Sequence, residues 1–170
     1  MASLIEELIH TLESENSEYE KLLKLSKDKT PIIIEGNTEK LREIVAHEQE
    51  HTDKIATLEK KRTEVVSDIA TVLNKDVNTL TVKHIISLLK GQDKEQNMLA
   101  EVHDKLKLTL NDMVVINEIN KQLIEESLEL VEFNINYLNG LGQMPEMANY
   151  TKSAYNSSSG IVNSRFDAKN

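Results

Sequence analysis

The chain contains no cysteine. Disulfides, thiolate nucleophiles and sulfur-ligated metals are thereby excluded together. Tryptophan is absent as well, aromatics make up only 4% of the 170 residues, and there are just five glycines and two prolines. Sandwiches and barrels are built from many short strands joined by turn residues, so this scarcity argues against both. No apolar run approaches the ~20 residues that a helix needs to cross a bilayer, and no membrane insertion is expected. The opening stretch Met1-Ala2-Ser3-Leu4-Ile5-Glu6-Glu7 lacks a basic n-region and meets acids at once. It does not read as a signal peptide, and a cytoplasmic location is expected. Positive charge is in deficit too. The net charge of −9 is repelled by phosphate backbones, so nucleic acid is not an expected partner.

What the chain does have is helical periodicity. Leu4, Leu8, Leu12, Tyr19 and Leu22 recur at helical spacing with Ile5, Ile9 and Leu23 beside them, which predicts a first helix over about 2–28. Pro31 has no N–H and disfavours helical backbone at Thr30. The helix is therefore expected to break there, with Pro31–Ile34 as a separate single turn ended by Gly36-Asn37. Thr38 reads as the N-cap of a second helix over 38–73. Its seam runs Leu41, Ile44, Glu48, His51, Ile55, Leu58, Arg62, Val65, Ile69, Val72, apolar at both ends and polar in the middle, as in a coiled coil. Asn74–Asn78 connects it to a short helix over 79–90, capped by Thr79 or Thr81 and stopped by Gly91.

The last helix is predicted over 92–139, which at about 1.5 Å per residue makes it roughly 70 Å long. One stripe is Leu99, Val102, Leu106, Thr109, Met113, Ile116, Asn120, Leu123, Ser127, Leu130, Asn134 and Tyr137. A second lies beside it, from Leu110, Val114 and Asn117 through Ile124, Leu128, Val131, Ile135 and Leu138. Two stripes are wider than a two-stranded coiled coil needs, so the extra width must cover a third helix, a second copy of the chain as a homodimer, or a client protein. The 4-3-4-3 run Ile124, Leu128, Val131, Ile135, Leu138 is the candidate client-binding strip. After Gly140 the periodicity ends in Asn, Ser, Gly and Lys, a composition that buries too little apolar surface to offset ordering. Residues 141–170 are expected to be a flexible, disordered tail. They hold Tyr150, Tyr155 and Phe166, and aromatics spaced along such a tail suit a short docking motif. The expected fold class is all-α: an elongated antiparallel bundle or coiled-coil hairpin of long helices over 1–140.

Few motifs point to chemistry. His47-Glu48-Gln49-Glu50-His51 spells the zinc-protease pattern in which two His one turn apart bind zinc and the Glu activates a water. No third ligand is in reach: Glu64 lies 13 residues beyond His51 on the same predicted helix, roughly 20 Å away. Glu7-Leu8-Ile9-His10 and Glu48-Gln49-Glu50-His51 spell the half-sites of helical di-iron proteins, but the last helix offers no inward carboxylate to complete them. The expectation is no metal, no cofactor and no catalytic residue, with Glu48 and His51 in the polar middle of the seam, and Asn117 and Asn120 as buried register-setting residues.

Several stretches together resemble the FlgN-type flagellar export chaperones. The first is Leu22-Leu23-Lys24-Leu25-Ser26-Lys27-Asp28-Lys29 followed by Ile33-Ile34-Glu35-Gly36-Asn37-Thr38-Glu39-Lys40-Leu41, continuing through Ile44-Val45 and Glu48-Gln49 to Leu58-Glu59-Lys60-Lys61-Arg62. The short Leu80–Leu89 segment is similar to the family's middle element. Asn117-Glu118-Ile119-Asn120-Lys121-Gln122-Leu123-Ile124 is similar to its Asn-x-x-Asn-x-x-Leu run. The resemblance implies a cytoplasmic chaperone that binds C-terminal helical segments of hook–filament junction (hook-associated) proteins through the late helix and prevents their premature assembly. It also implies delivery to the type III export gate protein through a tail tyrosine, Tyr155 with Gly160 after it, or Tyr150. The alternative reading, second to this one, is a coiled-coil scaffold or oligomerisation module without an export role.

Overall fold

A computed structural model describes residues 2–142. Four helices occupy 90% of them, with no strand among the described residues: α1 (Ala2–Glu35), α2 (Thr38–Leu73), α3 (Val82–Leu88) and α4 (Asp93–Gly142). The chain divides into two compact units, Met1–Leu128 and Glu129–Asn170. The first holds α1, α2, α3 and α4 as far as Leu128; the described part of the second is the remainder of α4.

In the first unit α1 and α2 form an antiparallel hairpin closed by a two-residue turn. Gly36 takes the left-handed conformation (φ 67°). Its N–H donates to Ile33 O at 3.0 Å and that of Asn37 to Ile32 O at 3.2 Å, the paired bonds that satisfy a helix's last carbonyls. Asn37, not Thr38, is the N-cap of α2: its side chain accepts from Lys40 N–H at 3.0 Å. Replacing Asn37 with Ala should lower stability by about 1 kcal/mol, read as a shift in the urea midpoint; an unchanged midpoint would show that the cap contributes nothing. Asn74 ends α2 in the same left-handed manner (φ 51°), with Lys75 N–H donating to Ala70 O at 2.9 Å. Thr81 is the cap of α3.

The expected break at Pro31 is corrected. α1 runs through Pro31 to Glu35, beyond the predicted end at 28. A proline inside a helix removes one backbone bond and costs about 3 kcal/mol, yet tertiary contacts hold the backbone on both sides of it. Thr30 Oγ1 donates to Asn120 Oδ1 at 2.7 Å, Asn120 Nδ2 donates to Ser26 O at 2.7 Å, and Ile33 is buried. The far end of α4 is corrected as well, since Leu141 and Gly142 are helical and not tail. The rest of the expected tail, Tyr150 and Tyr155 included, lies outside the described residues.

The apolar core sits at the end of the hairpin away from its turn. Ile5, Leu8, Ile9 and Leu12 of α1 meet Val65, Ile69 and Ala70 of α2. Leu80, Ile85 and Leu89 close over them with Leu99, Val102 and Leu106 of α4. Each fully buried Leu or Ile there contributes about 1.5–3 kcal/mol. Gln96 Nε2 donates to the terminal carbonyl of Ile86 at 2.8 Å, fixing the α3–α4 corner over the core.

Candidate functional site

Beyond Leu12 the α1–α2 interface turns polar. Arg62 Nη1 donates to Glu15 Oε2 at 2.7 Å. The Tyr19 hydroxyl donates to Glu59 Oε1 at 3.0 Å. Glu18 receives His51 Nδ1 at 2.6 Å and Lys21 Nζ at 2.6 Å. Glu48 receives Ser26 Oγ at 3.0 Å and Lys29 Nζ at 2.7 Å. So Glu48 and His51 do face α1, each engaged by a partner there, while His47 is exposed. His10 is exposed, with its Nδ1 3.3 Å from Glu13 Oε2. Among the described residues no group of three or more His, Asp or Glu converges as a metal cradle.

Burial decides the electrostatics of this seam. Glu15 is wholly buried, and its Oε1 has no hydrogen-bond partner among the described residues. Desolvation pushes its carboxyl above the usual range; Arg62 opposes this and the nearby Glu59 adds to it. The Tyr19 hydroxyl is pushed up to about 12, by burial first and then by its bond to Glu59. Glu18 is held below the ordinary carboxylate range, chiefly by the Lys21 hydrogen bond and then by His51.

α4 lies along α1 over the same stretch through polar contacts. Thr109 Oγ1 donates to Asn16 Oδ1 at 2.9 Å, and Asn120 bonds Ser26 and Thr30 as above. Its buried face is Leu99, Val102, Leu106, Thr109, Met113 and Asn120. Asn117, expected to be buried, is exposed because it projects off this face. Beyond Asn120 only Leu123 is even half-buried, and every later described residue of the helix is exposed.

The five residues of the candidate strip all lie on that uncovered part of α4. Ile124 is 38% exposed, and Leu128, Val131, Ile135 and Leu138 are 52–65% exposed. Leu128 and Ile124 belong to the first unit, the other three to the second. Leu110 and Val114, earlier in the same stripe, are exposed too. Sequence reasoning missed a further set of exposed apolar side chains on α4: Leu108, Val115 and Ile119 in the first unit, Phe133 and Leu141 in the second. The signal was present as 7-4 spacing in Leu108, Val115, Ile119, a third stripe that tracking two stripes passes over.

The second half of α4 thus shows much apolar surface. Residues 1–158 match the family model described as FlgN protein. The chain belongs to the FlgN family. FlgN membership implies a flagellar export chaperone role, and the family is one of chaperones and not of enzymes. The FlgN-family chain is also similar to YvyG of Bacillus subtilis (strain 168), described as an uncharacterized protein, at 28% identity over 120 residues and 71% of each chain. No solved structure matches it. No helix among the described residues is long and apolar enough to cross a membrane.

Proposed function

We propose that this FlgN-family protein is a cytoplasmic chaperone of the flagellar type III export pathway. It holds C-terminal helical segments of hook–filament junction proteins on the end of α4 and delivers them to the export gate protein through Tyr155 or Tyr150. The observation that carries the reading is the exposed run Ile124, Leu128, Val131, Ile135 and Leu138 on a helix whose earlier turns bury one face. Junction proteins that polymerise through amphipathic helices are kept apart when those helices lie in an apolar groove or on an apolar face of another protein. The polar seam of the first unit suits a carrier, since few apolar contacts there compete with the core and the client for order.

The test separates the two roles. Replacing Leu128 and Ile135 together with Ser should weaken client binding at least tenfold while circular dichroism stays unchanged, because each side chain contributes about 1.5–3 kcal/mol when a client buries it. Loss of helicity instead would place both residues in an internal core. Tyr150→Ala, Tyr155→Ala and deletion of 145–170 should each leave client binding intact and reduce binding to the export gate, where one aromatic anchor commonly contributes about 2 kcal/mol. Gate binding that survives the deletion would sink the docking role of the tail.

A further inference from the structure

We propose that residues 129–142 of α4 receive two client helices at once, one on each flank, and that each carries a Lys or Arg on its rim. This rests on the chaperone reading above and goes beyond it in the architecture and chemistry of the partner. Successive residues of a helix are about 100° apart around its axis. Phe133, Tyr137, Leu130 and Leu141 fall on one flank, and Leu138, Val131 and Ile135 on the adjoining one. Together they sweep about 200° of the circumference, with Asn134 between the two flanks, and all seven are exposed. The Phe133 and Tyr137 rings stack along the first flank with centroids 6.5 Å apart. An amphipathic helix that packs on one surface needs an apolar stripe about 100° wide, and a helix apolar over much more belongs inside a bundle. One client helix would leave half of this arc in water; two would enclose it as the middle member of a three-helix arrangement.

The charges name the partner's chemistry. Residues 129–142 contain no Lys or Arg. The polar arc left over holds Glu129, Glu132, Asn136 and Asn139. Around the helix Glu129 lies about 40° beyond Phe133, and Glu132 about 60° beyond Ile135 with Asn139 between them, so a carboxylate stands on the polar side of each flank. A second copy of this chain would bring the same two glutamates and the same net charge of −9, and like charges placed together disfavour it. The chain's own residues 143–170 hold Lys152, Arg165 and Lys169 along with Met147, Tyr150 and Tyr155, so they are the competing occupant that the cross-links below must exclude.

The absence of cysteine makes the test direct. In the full chain, Phe133→Cys and Ile135→Cys are made singly, labelled with a photo-crosslinker and irradiated with a purified junction protein. Cross-links from the two positions should map to two helices separated in the client sequence. Both mapping to one segment overturns the proposal, as do cross-links to a second copy or to residues 143–170. Glu129→Lys and Glu132→Lys should each lower client affinity several-fold at low salt, with the difference shrinking as salt screens the charges; affinity unchanged in both variants removes the basic rims. If the unaltered chain binds no junction protein in calorimetry, the chaperone reading falls and this inference with it. A client bound through one helix overturns the inference alone.

Discussion

Arg62→Ala should destabilise the protein by about 3 kcal/mol near neutral pH, because removing one member of a buried pair leaves the other charge uncompensated. Glu15 is that other member, wholly buried with one oxygen already unpartnered. The estimate sits at the low end of the usual ~3–5 kcal/mol range since the Arg62 side chain keeps 32% of its surface in water. The loss should also depend on pH. The folded-state pKa of Glu15 is already raised by burial, so the cost of keeping it ionised is present above that raised value and is relieved as pH falls through it. Without Arg62 the value rises further, and the variant's deficit should be larger at pH 8 than at pH 5. Urea unfolding at both pH values measures this. A deficit below about 1 kcal/mol, the same at both, would mean that the pair behaves as a surface salt bridge. The double variant Arg62→Met, Glu15→Leu should recover most of the loss, since an apolar pair of similar volume can replace a buried ion pair without penalty.

Leu99→Ala should cost about 2–5 kcal/mol, the range for truncating a fully buried leucine. Leu99 is completely inaccessible and joins α4 to the core of α1, α2 and α3. Leu128→Ala, the same truncation on the same helix, should stay within about 0.5 kcal/mol, because 59% of Leu128 is exposed. Denaturant midpoints of the two variants compare burial at two points on one helix with the chemistry held constant. Equal losses would place the core elsewhere and remove Leu128 from the candidate client surface.

The long helices were legible because their apolar residues keep 3-4 spacing over many turns, and in Leu99 to Asn120 that spacing marks the buried face residue by residue. Local propensity at Pro31 predicts a break; the contacts that hold α1 through it come from Asn120, some ninety positions along the chain. Arg62 could be placed in the seam by spacing, but Glu15 could not be recognised as its partner. A carboxylate between Leu12 and Tyr19 reads as solvated, and only the approach of α2 buries it. Asn117 and Asn120 share a residue type and differ in fate because three residues along a helix turn one of them off the packed face. The exposure of Leu128, Val131, Ile135 and Leu138 is shared by Leu130 and Tyr137 of the first stripe, because every described residue after Leu123 is exposed. The third stripe, with Leu108 and Val115, was hidden by Asp112 and Glu126 interrupting its repeat.

The position of the core also sets an order in time. Ile5, Leu8, Ile9 and Leu12 are synthesised before their apolar partners, which lie in the second half of α2, around α3 and in the opening turns of α4. The hairpin's turn end, which forms soonest, offers mainly Glu48 with Lys29 and Ser26. Contacts far apart in sequence must overcome loop closure before they contribute. On the ribosome the apolar face of α1 is therefore covered in stages, first by Val65, Ile69 and Ala70 and fully only once Leu106 has emerged, and a chain ending at Gln92 would lack the cover of Leu99, Val102 and Leu106.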